Sequence, residues 1–361
     1  MIVVVMGTRP EIVKMASVVD SCREIGLEYE IVHAAQHYDW RMSGQFMKEL
    51  ALGKPDRRVD VGSGSQALQT AKAMVNLEEV ILRDCPETVV VQGDTNTTLA
   101  GALAAAKLHV PVCHVEAGLR SYDLRMPEEH NRRLVDHLSS YLFAPTSHAE
   151  RILRSERTWG RTFVVGNTVI DACLKFMKVA IKKSKVLGRI RFDKFALATL
   201  HRAENVDSLP TLRTLVRVLI GCPAPVVFPV HPRTLHRLRS SSLLARLEDC
   251  KNIQLLPPVG YFDMLTLMER CVFIMTDSGG IQEEATAPNI RKFVFVMRRL
   301  TDRPESIRTG FAKLVGTEDH EAIIRSIKLL EDRRPTMGNC PYGDGKAGPK
   351  IARAIKTELL A

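Results

Sequence analysis

The feature that most constrains this chain is an alternation. Twelve short apolar runs, at residues 2–6, 30–34, 88–91, 110–115, 141–144, 162–165, 195–200, 225–230, 253–256, 272–276, 293–297 and 313–316, are separated by stretches of helical periodicity. Runs of this length read as strands buried on both faces, and strands that alternate with helices build parallel sheets through βαβ units. Residues 11–25 read as one of the connecting helices, with Pro10 suited to its first position and Gly26 to the turn that stops it. The longest break is the basic stretch at 182–194, which separates two series of runs. The 361 residues suit two domains of ordinary size. The expected fold is therefore α/β: two Rossmann-like doubly wound domains facing across a cleft, the first over residues 1–166 and the second over 167–345.

Open sheets of this kind bind ligands beyond the carboxyl ends of their strands, so the residue after each apolar run is where chemistry is expected. Gly7-Thr-Arg-Pro10 follows the first run, Gln92-Gly-Asp-Thr95 the third and Glu116-Ala-Gly118 the fourth. In the second series, His201-Arg202, His231-Pro-Arg233 and Asp277-Ser-Gly-Gly280 stand in the same place. The last of these opens a helix, where free backbone N–H groups and the helix dipole favour a phosphate. Its likeness to a serine-protease nucleophile loop fails because a helix follows. Gly62-Ser-Gly-Ser-Gln-Ala67 matches the dinucleotide fingerprint, but Arg57–Val61 before it reads as a poor strand and the segment as a turn.

Asp94, Glu116 and the pair Glu128-Glu129 place several carboxylates near strand ends of the first half. Singly, each is more readily a cap or a solvated residue. Clustered, they would repel and supply a general base. His201 is suited to acid, base or phosphate-ligand work, with a structural histidine as the alternative. Arg9, Lys14, Arg132, Arg202, Arg233 and Arg303 supply positive charge for a diphosphate. The net charge of +10 fits an anionic partner, but the clusters at 182–185 and 189–191 lack interleaved aromatics, so nucleic acid is not expected. No apolar run is long enough for a membrane helix, and the eight scattered cysteines contain no Cys-x-x-Cys pair. A cytoplasmic protein with reduced core cysteines, no structural zinc and no nicotinamide is expected. Unaided, the residues lead to a two-domain enzyme that holds a nucleotide diphosphate beside acid–base carboxylates.

The ordered set of motifs resembles the non-hydrolysing UDP-N-acetylglucosamine 2-epimerases. It comprises Gly7-Thr-Arg-Pro-Glu11 with Lys14, Ala35-Gln-His37, Gln92-Gly-Asp-Thr95, His114-Val-Glu-Ala-Gly-Leu-Arg120 and Met126-Pro-Glu-Glu-His-Asn-Arg132. It continues through Val165-Gly-Asn-Thr168, His201-Arg-Ala-Glu-Asn205, His231-Pro-Arg233, Thr276-Asp-Ser-Gly-Gly-Ile-Gln-Glu-Glu284, Asp302-Arg-Pro-Glu305 and Tyr342-Gly-Asp-Gly-Lys-Ala347. The resemblance implies a GT-B-like pair of domains, with residues 346–361 crossing back onto the first. It implies interconversion of UDP-GlcNAc and UDP-ManNAc without a cofactor, through elimination of UDP to a 2-acetamidoglucal and its re-addition. By position, Asp94, Glu116 and Glu128 look like the acid–base set, and His201 like the group beside the diphosphate. Arg9 and Ser278-Gly279-Gly280 would hold phosphates and Glu284 the ribose. Lys14, Arg132, His231, Arg298 and Arg303 would complete the polar site, and Tyr261 would wall the uracil. A homodimer is implied as well. Residues 287–292 and 298–302 depart from the family's usual pattern, with Asp302 where Glu is customary.

Four rival readings remain at this stage. They are a 2-epimerase for a UDP-diacetamido uronic acid, a hydrolysing epimerase, a GT-B glycosyltransferase and a UDP-sugar-binding regulator without turnover.

Overall fold

The structure, a computed structural model, describes residues 1–35, 40–332 and 338–359. It divides into two compact units, Met1–Ala172 with Tyr342–Ala361, and Cys173–Pro341. The boundary falls inside the helix Thr168–Lys183. Among the described residues, no helix is long and apolar enough to cross a membrane.

The first unit is built on seven strands: β1 (Ile2–Met6), β2 (Tyr29–Ala35), β3 (Arg57–Asp60), β4 (Thr88–Gln92), β5 (Val112–Val115), β6 (Tyr141–Ala144) and β7 (Arg161–Val164). They lie in the order β3-β2-β1-β4-β5-β6-β7, with every pair parallel. The second unit has six: β8 (Ala196–Thr199), β9 (Val226–Pro229), β10 (Ile253–Leu256), β11 (Ile274–Thr276), β12 (Val294–Val296) and β13 (Ala312–Leu314). Their order is β10-β9-β8-β11-β12-β13, again all parallel. Both orders are the doubly wound one, in which the chain reverses its direction of travel once. The switch points lie between β1 and β4 and between β8 and β11.

Burial explains why the apolar runs were legible. Every residue of β1, β4, β5, β8 and β9 is buried, because helices cover both faces of the sheet. Val3, Val5, Val89, Val91 and Val112 pack against Ala100, Ala104 and Leu77 from the flanking helices Asn96–Lys107 and Gln66–Asp84. In the second unit Phe228, Phe273 and Phe295 join Leu215, Leu219 and Ile327 in an equivalent core.

The segment at 57–61 departs from expectation. Arg57–Asp60 is a strand after all, paired with β2 at the sheet edge, and the helix Gln66–Asp84 follows it. An edge strand is half solvated, so one inward apolar residue, Val59, suffices, and no apolar run marks it. The strand–turn–helix context of the Gly62–Ala67 fingerprint therefore exists. It stands two strands away from the switch point, where the doubly wound fold binds its ligands.

The last helix, Ala347–Leu359, packs on the helix Arg9–Glu24. The carboxylate of Asp171 accepts hydrogen bonds from the Ala347 and Gly348 N–H groups at 3.1 and 2.8 Å. A Cβ at Gly348 would stand 2.5 Å from the Ser17 carbonyl oxygen, so only glycine allows this approach.

Candidate active site

At the switch point of the first unit, β1 delivers Gly7, where a Cβ would stand 2.7 Å from Thr97 Oγ1 and 2.9 Å from the Ala34 carbonyl. The turn leads into the helix Arg9–Glu24, with Pro10 one place later than expected. Glu11 is buried and ties this turn to the next strand end. Its carboxylate accepts from the Gly7 and Thr8 N–H groups at 2.5 and 2.6 Å and from the Thr95 and Thr98 hydroxyls at 2.5 and 3.2 Å. Burial lifts this carboxyl above its ordinary range, and those four bonds only partly offset it.

Glu116, the first residue after β5, is buried and holds a left-handed φ of 74°. A non-glycine residue there costs on the order of 1–3 kcal/mol, so its surroundings must hold it. They do: its own N–H and that of Ala117 both bond the Phe143 carbonyl at 3.1 Å. The side chain accepts from Lys14 Nζ and Gln92 Nε2, each at 2.5 Å. Asp94, beyond β4, is ion-paired with Arg132, which is itself buried and also faces Glu129. Thus the repulsion expected among clustered carboxylates is relieved by Lys14 and Arg132. Glu128 is half-buried in the first turn of the helix Pro127–Leu138 and forms no hydrogen bond or ion pair among the described residues. Glu129 points inward instead, accepting from the Ser121 N–H and hydroxyl at 2.8 and 2.9 Å. Arg9 is exposed, its guanidinium 5.9 Å from the Phe46 ring centroid. Gln36 and His37 of the second motif lie outside the described residues.

The second unit repeats the logic. Asp277, fully buried after β11, accepts from the His201 N–H at 3.0 Å, the Arg202 N–H at 3.0 Å and Asn205 Nδ2 at 3.0 Å. It thereby fixes the turn after β8 against the turn after β11. His201 Nδ1 lies 3.4 Å from Asp277 Oδ1, and its ring centroid is 5.6 Å from that of exposed His231. Burial lowers the His201 pKa, aided by Arg202 and His231 and opposed by Asp277 and Glu204. Burial and Arg233 lower that of His231 as well. Ser278 and Gly280 stay partly accessible at the start of the helix Gly279–Glu284.

Arg298 and Arg303 are buried in a charge network. Arg303 pairs with Glu283 and Asp302, and Arg298 with Asp302 and Glu204. A Cβ at Gly279 would stand 3.3 Å from Asp302 Oδ1, so this network backs the turn. Arg233 is engaged by Asp207, beside Arg237. Tyr261 packs edge-on against Phe176, centroids 6.3 Å apart at 82°. Burial raises the pKa of its hydroxyl, with Cys173 and Glu284 near by. In the first unit the pairs Lys14–Glu116 and Asp94–Arg132 flank the switch point, and in the second His201 and Ser278 to Gly280 do, whereas His231 follows β9 and Tyr261 follows β10, further out in the sheet. Glu11 and Glu283 stand in the quoted motifs without an assigned role and Asp136 in none of them, and what sets all three apart is burial. For Glu11 a signal existed, since Thr8-x-x-Glu11 has capping-box spacing.

Two doubly wound units with carboxylates at one switch point and a small-residue turn beside a histidine at the other define a nucleotide-handling α/β enzyme. The family profile described as UDP-N-acetylglucosamine 2-epimerase matches residues 20–356, and the chain belongs to that family. It is 41% identical to the UDP-N-acetylglucosamine 2-epimerase of Methanocaldococcus jannaschii over 98% of both chains. It is 39% identical to the UDP-2,3-diacetamido-2,3-dideoxy-D-glucuronate 2-epimerase of Pseudomonas aeruginosa, over 98% of this chain and 99% of that one. The crystal structure of the Methanocaldococcus jannaschii enzyme in complex with UDP-GlcNAc and UDP superposes with a TM-score of 0.91 at 40% identity, covering 99% of each chain.

Proposed function

We propose that the chain interconverts UDP-N-acetylglucosamine and UDP-N-acetylmannosamine as a cytoplasmic homodimer, without a redox cofactor. The C2–H bond breaks as a carboxylate takes the proton, and UDP departs from C1 with the bonding electron pair, leaving a 2-acetamidoglucal. UDP then returns to C1 while C2 is protonated from the opposite face. Two faces of one carbon require two proton-transfer groups, and we draw both from the three carboxylates Asp94, Glu116 and Glu128. Glu128, half-buried and without a hydrogen bond or ion pair among the described residues, is the most available to a substrate. His201 is assigned to the diphosphate, where its N–H stabilises charge as UDP leaves. Ser278 to Gly280 and Arg9 would hold phosphates and Glu284 the ribose, with Lys14 and Arg132 keeping the carboxylates compensated. The observation that carries the reading is the set Lys14–Glu116–Gln92 and Asp94–Arg132 at one switch point, in a chain 40% identical to an enzyme crystallised with UDP-GlcNAc and UDP.

The nearest rival is 2-epimerisation of a UDP-diacetamido uronic acid, the named activity of the Pseudomonas aeruginosa relative. A uronate adds a carboxylate, for which the arginines near 298–303 would offer counter-charge. Arg298 and Arg303 are already compensated by Asp302, Glu204 and Glu283, which favours the neutral sugar. Turnover measured with each sugar nucleotide separates the two. We expect a higher kcat/KM for UDP-N-acetylglucosamine, and preference for the uronate would reverse the assignment.

A further inference from the structure

His114 lies in the middle of β5 with its side chain and that of Asp136 wholly buried. Its Nε2 is 2.8 Å from the Gly93 carbonyl oxygen and its Nδ1 is 2.8 Å from Asp136 Oδ1. A carbonyl oxygen only accepts, so Nε2 must carry a proton. Asp136 also receives the Gly118 N–H at 3.2 Å and Arg120 Nη1 at 2.7 Å, and Arg120 is shared with Glu156 at 2.6 Å. Burial alone would raise the Asp136 carboxyl, but His114 and Arg120 outweigh it and hold it below the carboxylate range. Asp136, itself held by Arg120 and the Gly118 N–H, therefore fixes the other side of the ring.

We infer that His114 is a positioning residue, which clamps the Gly93–Asp94 peptide and so aims the Asp94 carboxylate. Gly93 is left-handed, with φ 78°, and its own N–H is bonded to the Val115 carbonyl at 3.0 Å. The Gly93 carbonyl and the Asp94 N–H belong to one planar peptide unit, so holding the oxygen sets the direction in which the Asp94 chain leaves. His114 touches no reacting atom in this scheme. The role rests on the proton-transfer assignment of Asp94 made above.

Two measurements test it. In 15N-labelled protein, the Gly93 and Asp94 amide signals should move in His114→Leu and stay near their wild-type positions in His114→Gln. Unmoved signals in the leucine variant would overturn the clamp. His114→Leu removes both donors, whereas His114→Gln can keep one toward Gly93. Misplacing a reacting group typically costs about a hundredfold. We expect His114→Leu to lose about that much in kcat with KM and UDP affinity unchanged, and His114→Gln to recover most of it. Wild-type kcat in the leucine variant, or parallel losses of kcat and UDP binding in both variants, would overturn the positioning role. If the wild-type protein does not turn over UDP-N-acetylglucosamine, the proposed reaction is what fails, and the amide signals still decide the clamp.

Discussion

Asp94 lies two residues past β4 and is held by Arg132 through its carboxylate and by Asn131 through its carbonyl, at 3.0 Å. Asp94→Asn keeps the shape and a hydrogen-bond acceptor toward Arg132 while removing the base and its charge. It should therefore lower kcat by at least about a hundredfold, the scale of general acid–base catalysis, and leave UDP affinity near wild type. Steady-state kinetics beside calorimetry with UDP reads both, and near-wild-type turnover would remove Asp94 from the proton-transfer set. His201 makes a prediction in pH. Its burial depresses the imidazole pKa below the ordinary 6.5, so the folded protein binds that proton less tightly than the unfolded chain does. His201 thus costs no stability above the unfolded value and destabilises as pH falls through about 6.5. An NMR titration should place its midpoint below 6.5, and a midpoint above would reverse the sign.

Residues of this kind were legible because each is a polar side chain directly after an apolar run, where a parallel sheet brings its ligand-binding edge. Asp136, Glu11 and Glu283 were not, because they act by being buried. A sequence shows that a carboxyl is present and not that water is excluded from it. Likewise Arg298 and Arg303 read as free charge for a substrate. Their compensation by Glu204, Glu283 and Asp302 depends on contacts that no spacing rule encodes.

At the scale of elements, strands buried on both faces were read to within about two residues, since their apolar content is forced by the helices above and below. β3 escaped because an edge strand needs only Val59 to face inward. Helix ends were readable where they carry their own chemistry. Gly26, with φ 65°, receives the chain as the helix Arg9–Glu24 stops, and the Leu27 N–H closes on the Cys22 carbonyl at 2.9 Å. The docking of the helix Ala347–Leu359 was implied only by resemblance, and its physical basis is the missing Cβ at Gly348. Gly348→Ala would place a carbon 2.5 Å from a backbone oxygen that cannot swing away. Overpacking of this sort costs about 1–3 kcal/mol, so thermal unfolding of the variant should shift several degrees lower. An unchanged midpoint would mean that the last helix contributes nothing to the fold of the first unit.

For the whole molecule, one sheet order occurs twice, and each copy gathers its distinctive side chains at the strand pair where the order reverses. The first gathers carboxylates with their cations. The second gathers a histidine, a buried aspartate and a small-residue turn. Order along the chain, more than any single motif, is what tied these residues to one family, and the match across residues 20–356 agrees. Which reaction the chain performs turns on whether the proton at C2 of the sugar is exchanged while the UDP–sugar bond is broken and remade. Proton NMR of the purified protein with UDP-N-acetylglucosamine in D₂O, without added NAD or metal, observes that event directly. The account predicts UDP-N-acetylmannosamine bearing deuterium at C2. Epimerisation with the C2 proton retained, or release of free sugar with stoichiometric UDP, would contradict it.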